Sequence, residues 1–114
     1  MKINVLHCLD GAKKATGIAV IIDVFRAFTL ETYLFKNNAS EVYAVGDKEI
    51  AYLKKQENPD VVLVGERHGI TLPGFDFGNS PSIIDKNDFT GKTIYHTTSS
   101  GTQGIANSIN ALEV

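Results

Sequence analysis

Ile18-Ala19-Val20-Ile21-Ile22-Asp23-Val24-Phe25-Arg26 is the stretch from which the architecture is read. Its apolar run, rich in β-branched residues, suits a strand covered on both faces. The run ends in a carboxylate, and a guanidinium follows three residues later. The same motif recurs downstream. Val61-Val62-Leu63-Val64 runs into Gly65-Glu66-Arg67-His68, and Thr93-Ile94-Tyr95-His96 runs into Thr97-Thr98-Ser99-Ser100-Gly101-Thr102. Amphipathic stretches separate these runs. Such alternation predicts the α/β class.

The remaining elements follow from local chemistry. Residues 3–8 read as an edge strand and 41–45 as a further strand. Residues 27–36 read as a helix with Phe28, Leu30, Tyr33, Leu34 and Phe35 on a wide apolar face, stopped at Asn37-Asn38 because Asn tolerates a left-handed backbone. Asp47 is placed to cap a helix over 48–55, which Asn58-Pro59 ends. Residues 65–79 read as a long loop. Ser80-Pro81 has the form of a helix start, and 102–112 reads as the last helix. The whole of 1–114 is read as one α/β domain, or as the amino-terminal portion of a larger one.

Composition narrows the function. The 114 residues carry 11 Lys+Arg against 13 Asp+Glu, a net charge of −2, so a nucleic-acid partner gripped by bulk charge is not expected. No apolar run is long enough to span a bilayer, and the start, Met1-Lys2-Ile3-Asn4, has no signal-peptide pattern. The single cysteine, Cys8, cannot form an intrachain disulfide, which favours a reducing compartment. The expectation is a cytoplasmic protein without a membrane partner. A homo-oligomer is compatible with all of this.

Position organises the chemistry. In open parallel α/β sheets, ligands bind beyond the carboxyl ends of the strands. If the three apolar runs are parallel neighbours, their polar sequels converge on one rim, with Asp76, Asn79 and Ser80 laid over it by the long loop. Asp23, Glu66 and Asp76 are hard oxygen donors suited to Mg²⁺. Arg26 and Arg67 offer planar forks for phosphate or sulfonate oxygens. The hydroxyl-rich turn from Thr97 to Thr102 opens a helix and suits an anion.

Plainer readings stand beside these. Asp23 reads equally as a helix cap, and Arg26 as a surface partner of Glu31 or Asp23. Glu66-Arg67 reads as a solvated pair, Asp76 as a turn former, and the Thr/Ser turn as an ordinary capped connection. His7 and His96 read as structural, Cys8 as a small core residue. His68, beside Glu66-Arg67, is the one histidine placed for proton transfer.

Five strings then resemble, in order and spacing, the 2-phosphosulfolactate phosphatase family: Val20–Ala27, Gly65-Glu66-Arg67-His68-Gly69, Gly74-Phe75-Asp76-Phe77-Gly78-Asn79-Ser80-Pro81, Gly91-Lys92-Thr93, and Thr97–Thr102. The resemblance implies a three-layer α/β/α fold with a mostly parallel sheet, and a phosphatase that uses Mg²⁺ to hydrolyse 2-phosphosulfolactate to sulfolactate and phosphate, a step toward coenzyme M. It carries catalytic roles onto Asp23, Arg26, Glu66, Arg67 and Asp76, with Asp23, Glu66 and Asp76 as metal ligands. It carries substrate contacts onto Asn79, Ser80, Thr97, Thr98, Ser99, Gly101 and Thr102. The family's run of threonines after the arginine is here Phe28-Thr29-Leu30, and the chain resembles the amino-terminal half of a longer fold. Two rivals are weighed: an anion-binding module without catalysis, and a flavin binder, for which the hydroxyl turn follows the wrong strand.

Overall fold

The computed structural model describes residues 1–114. In chain order the elements are α1 (Cys8–Ala12), β1 (Gly17–Ile18), α2 (Ala27–Lys36), β2 (Glu41–Ala44), α3 (Lys48–Glu57), β3 (Val62–Arg67), β4 (Ile70–Thr71), α4 (Pro81–Ile84), β5 (Thr93–Thr97), α5 (Gly101–Asn107) and β6 (Ala111–Glu113). Four strands form the main sheet in the order β2-β5-β3-β4. β5 lies parallel to both neighbours, with Val42 and Val62 opposite Ile94, and Ala44 and Val64 opposite His96. β4 returns antiparallel along β3 through the turn His68-Gly69. Both turn residues have positive φ, 53° and 78°, the geometry that matches the twist of a two-residue hairpin.

Helices cover both faces of this sheet. Successive strand residues point to opposite sides. Val64 and Ile94 therefore pack with Leu30 and Leu34 of α2, Ile84 of α4 and Phe89. Leu63, one residue away, packs with Ala51 of α3, Val61, Leu72 and Phe75. The α/β class and its layered, mostly parallel sheet are thus as the sequence predicts.

Several elements follow their sequence signals closely. α2 spans the predicted residues, and Asn38 adopts φ 70° just past its end. Asp47 caps α3, its carboxylate accepting from the Glu49 N–H at 2.9 Å. α4 begins at Pro81.

Other expectations are corrected. Residues 3–8 form no strand, and Cys8 begins α1 instead. Cys8 itself is exposed rather than a core residue. The run 18–22 is not a central strand. Only Gly17–Ile18 pairs, with β6, in a separate two-stranded sheet. The last helix stops at Asn107, where Asn107 Nδ2 and Ser108 Oγ donate to the carbonyls of Gln103 and Gly104. Such side chains compete with the helix for its own acceptors. The predicted 65–79 loop is largely ordered. β3 continues to Arg67, and Phe77 returns beside β3, its N–H donating to the Leu63 carbonyl and its own carbonyl accepting from the Gly65 N–H.

Candidate active site

The carboxyl ends of β2, β3 and β5 open on an exposed cleft of about 590 Å³, lined by Gly46, Asp47, Arg67, His68, Ser99 and Gln103, among others. Gly65 makes this rim tight. A Cβ there would sit 2.3 Å from the Thr97 carbonyl oxygen, so no larger residue fits between β3 and β5.

Glu66 is the hub of the rim. It is 7% exposed, and its carboxylate accepts from the Ser99 N–H at 2.7 Å, the Ser99 hydroxyl at 3.0 Å and the Gly69 N–H at 2.7 Å. Burial pushes this carboxyl up, but the Ser99 and Gly69 donors, with Arg67 beside them, outweigh it and hold it below the ordinary carboxylate value. Arg67 donates to the Glu66 carbonyl at 2.7 Å, the Gly46 carbonyl at 3.0 Å and the Thr97 hydroxyl at 2.9 Å. The rest of its fork faces the cleft. The His68 N–H donates to Ser99 Oγ at 3.0 Å, leaving its exposed imidazole at the cleft wall.

The turn 97–102 lies where expected, but most of its hydroxyls are engaged internally. Thr102 Oγ1 accepts from the Thr98 N–H at 2.7 Å, and Thr98 Oγ1 accepts from the Thr102 N–H at 3.3 Å, a reciprocal closure of the first turn of α5. Thr97 is bonded to Arg67 and Ser99 to Glu66, which leaves Ser100 exposed.

Asp23 reaches this turn although its strand is absent from the main sheet. A Cβ on Gly101 would lie 2.8 Å from Asp23 Oδ2 and 2.7 Å from Ala27 Cβ, so the bare glycine lets α5 close on the start of α2. The Asp23 carboxylate accepts only one long bond, 3.4 Å from the Ala27 N–H. Arg26, next along, pairs with neither Asp23 nor Glu31. Its guanidinium has no hydrogen-bond acceptor and lies 6.0 Å from the Phe25 ring.

Asp76 is elsewhere. Its Oδ2 accepts from the Leu63 N–H at 2.8 Å and from Lys55 Nζ at 3.1 Å. Leu63 is three residues before Glu66, about 10 Å along the strand. The expected cluster of Asp23, Glu66 and Asp76 is therefore not formed, and no group of three His, Cys, Asp or Glu side chains is placed to hold a metal ion. The donor chemistry explains this: Glu66 and Asp76 spend their oxygens on N–H and ammonium donors. The three carboxylates do not share one Mg²⁺ site. Asn79 and Ser80 lead into α4, which packs against α2, and neither bonds to a rim residue. The Asn79 Oδ1 is buried without a protein partner.

The Gly46 carbonyl and the pairing of Glu31 with His96 escape the sequence reading. The Gly46 carbonyl accepts from both Arg67 and Gln103, the latter at 2.6 Å. Gly46-Asp47 directly follows a strand, so the strand-end rule would have found it. His96, read as structural from the sequence, takes Glu31 as its partner. His96 is fully buried, its Nδ1 2.8 Å from Glu31 Oε1, and its Nε2 has no partner. The pair ties the end of β5 to α2.

Fold and rim define a class: a parallel α/β protein whose strand ends carry guanidinium, imidazole and hydroxyl groups suited to a small anion. The sequence model of the family described as 2-phosphosulpholactate phosphatase matches residues 6–114. The chain belongs to that family. A relative named "Probable 2-phosphosulfolactate phosphatase" from Deinococcus radiodurans is 40% identical over 85 residues, covering 75% of this chain and 35% of the relative. The Bacillus subtilis relative of that name is 36% identical over 94 residues, covering 82% and 41%. That of Clostridium beijerinckii is 34% identical over 119 residues, covering 100% and 50%. The chain thus spans half or less of the length of these relatives, which fits half of a larger fold.

Proposed function

We propose that this chain supplies part of the active site of a phosphoric monoester hydrolase acting on 2-phosphosulfolactate, releasing sulfolactate and phosphate. The observation that carries the reading is the meeting of Asp23, Arg67 and the 97–102 turn at one rim of a chain belonging to this family. The substrate bears phosphate, carboxylate and sulfonate, so it calls for several cationic or N–H-rich contacts. Arg26, free of internal acceptors, is the group assigned to bind one anionic end. Arg67, fixed on three oxygens, presents its remaining N–H groups in a set direction, the preorganisation that favours a charged transition state. Glu66 orients the rim and stays ionised. Asp23 and His68 are the groups left to hold or move a proton at the attacking water.

A Mg²⁺ requirement remains part of the proposal, with Asp23 the one carboxylate of the trio whose oxygens are largely uncommitted. A role on the route to coenzyme M and a cytoplasmic location complete the proposal. The single cysteine supports a reducing compartment, and no helix is long and apolar enough to cross a membrane.

Because Glu66 is engaged and Asp76 lies off the rim, the second reading is an anion-binding half-site that needs further chain for turnover. Phosphate release from 2-phosphosulfolactate, with and without Mg²⁺, and calorimetric titration with sulfolactate separate the two. Release that drops about 100-fold or more in Arg26→Ala supports hydrolysis. Binding without release selects the half-site. Absence of both binding and release removes the assignment.

A further inference from the structure

The segment 18–24 is apolar on alternate residues, and that face is bare. Ile18, Val20, Ile22 and Val24 are 71–79% exposed, Phe25 is 92% exposed, and Leu112, on the strand paired with β1, is 91% exposed. Period-two spacing places Ile18, Val20 and Ile22 on one side of an extended chain, and Val24 opens the turn into α2. The other side is packed: Ala19 is buried and Ile21 lies against Gly104 of α5. The backbone donors are bare as well. Past Ala19, whose N–H donates to the Glu113 carbonyl, no backbone N–H from Val20 to Val24 meets a protein acceptor. An extended segment with free backbone groups and an exposed apolar face is a template for another strand. Other exposed apolar residues lie on separate elements: Ile50 and Leu53 on α3, Ile70 on β4 and Ile83 on α4.

We propose that this surface docks the remaining half of a family polypeptide, which adds an extended segment beside Val20–Val24 and covers Ile18, Val20, Ile22 and Leu112. The size of the relatives identifies the occupant. The Clostridium beijerinckii relative aligns with the whole of this chain using 50% of its own length, so an equal length of chain must pack against some face of this half. The faces of the main sheet are already covered by α2, α4 and α3. The run 18–22 has the composition of a strand covered on both faces, and the added half, laid over its bare face as well as along its edge, gives it that environment. Docking also brings new chain next to Asp23 and Arg26, which end the segment. The proposal stands on family membership and exposure, and it does not require this chain to be catalytic.

The test compares hydrogen exchange in this full chain with that in the intact Clostridium beijerinckii relative, with light scattering to fix the assembly state of each. In this chain the amides of Val20–Val24 should exchange close to the free-chain rate, and in the relative the aligned amides should exchange at least about tenfold more slowly. Asp placed in the relative at the positions aligned with Val20 and Ile22 should speed exchange there at least about tenfold, while Asp at the position aligned with Leu53 should leave it unaltered. Exchange at the strands aligned with β3 and β5 reports whether each variant is folded. Equally fast exchange of the segment in the intact relative, equal effects of the two kinds of variant, or a homodimer of this chain that buries 20–24 would each overturn the proposal.

Discussion

A buried carboxylate with three donors is a structural clamp before it is anything else. Glu66 joins β3, the His68-Gly69 turn and the β5–α5 turn. Hydrogen bonds to a charged group contribute about 1.5–3 kcal/mol each, so Glu66→Gln should cost about 2 kcal/mol or more, read from urea midpoints. Its folded-state pKa lies below the ordinary 4.5. The stability it adds is therefore complete above about pH 4.5 and is withdrawn as pH falls through the lower folded-state value. Wild-type midpoints should hold from neutral pH to about pH 5 and drop below it, and Glu66→Gln should flatten that drop. Asp76 gives the contrasting case. It caps nothing at the rim but holds the Leu63 N–H and Lys55. Asp76→Ala should lower stability by about 1–3 kcal/mol while leaving sulfolactate binding intact. Loss of binding in a folded variant would return Asp76 to the site.

At the scale of elements, the α2–α5 contact decides where Asp23 sits. Alanine is the better helix former, by up to about 1 kcal/mol over glycine. At Gly101, however, a methyl would meet Ala27 Cβ at 2.7 Å and Asp23 Oδ2 at 2.8 Å. Overpacking of this kind costs about 1–3 kcal/mol, so the contact outweighs the propensity. Gly101→Ala should lower the melting temperature and weaken anion binding together. The Glu31–His96 pair ties α2 to β5, the strand that leads into α5. Glu31→Ala leaves His96 with both ring nitrogens unpartnered in the core, and should cost about 1–3 kcal/mol by denaturant unfolding.

Taken whole, the molecule is slightly extended. Its radius of gyration is 14.3 Å, against about 13.3 Å for a compact domain of this length. Residues 1–10 are exposed throughout, and 20–24 lack ladder partners. Protection from hydrogen exchange should therefore be uneven. Amides of β3 and β5, flanked on both sides, should exchange near the global unfolding rate, and those of 20–24 close to the free-chain rate when the chain is alone. Uniform protection across both regions would contradict this picture.

Much of the sheet was readable because its signals are local. Val61–Val64 and Thr93–His96 are apolar runs ending in polar clusters, Asp47 caps its helix through its own side chain, and Asn38 supplies the backbone conformation that ends α2. These are properties of a residue and its near neighbours, so composition and spacing determine them. The family likeness, too, lies in the order of the strings. What the tertiary structure alone decided is which donors each charged group meets. Glu66 and Asp76 are equivalent as isolated carboxylates, but one closes the rim and the other braces the start of β3, because the chain after Gly74 folds back along that strand. Likewise the apolar run 18–22 specifies a buried strand without naming what buries it, since burial belongs to the partner surface as much as to the segment. The hydroxyls of Thr98 and Thr102 turned inward for the same reason: a side chain bonds what the fold brings within reach.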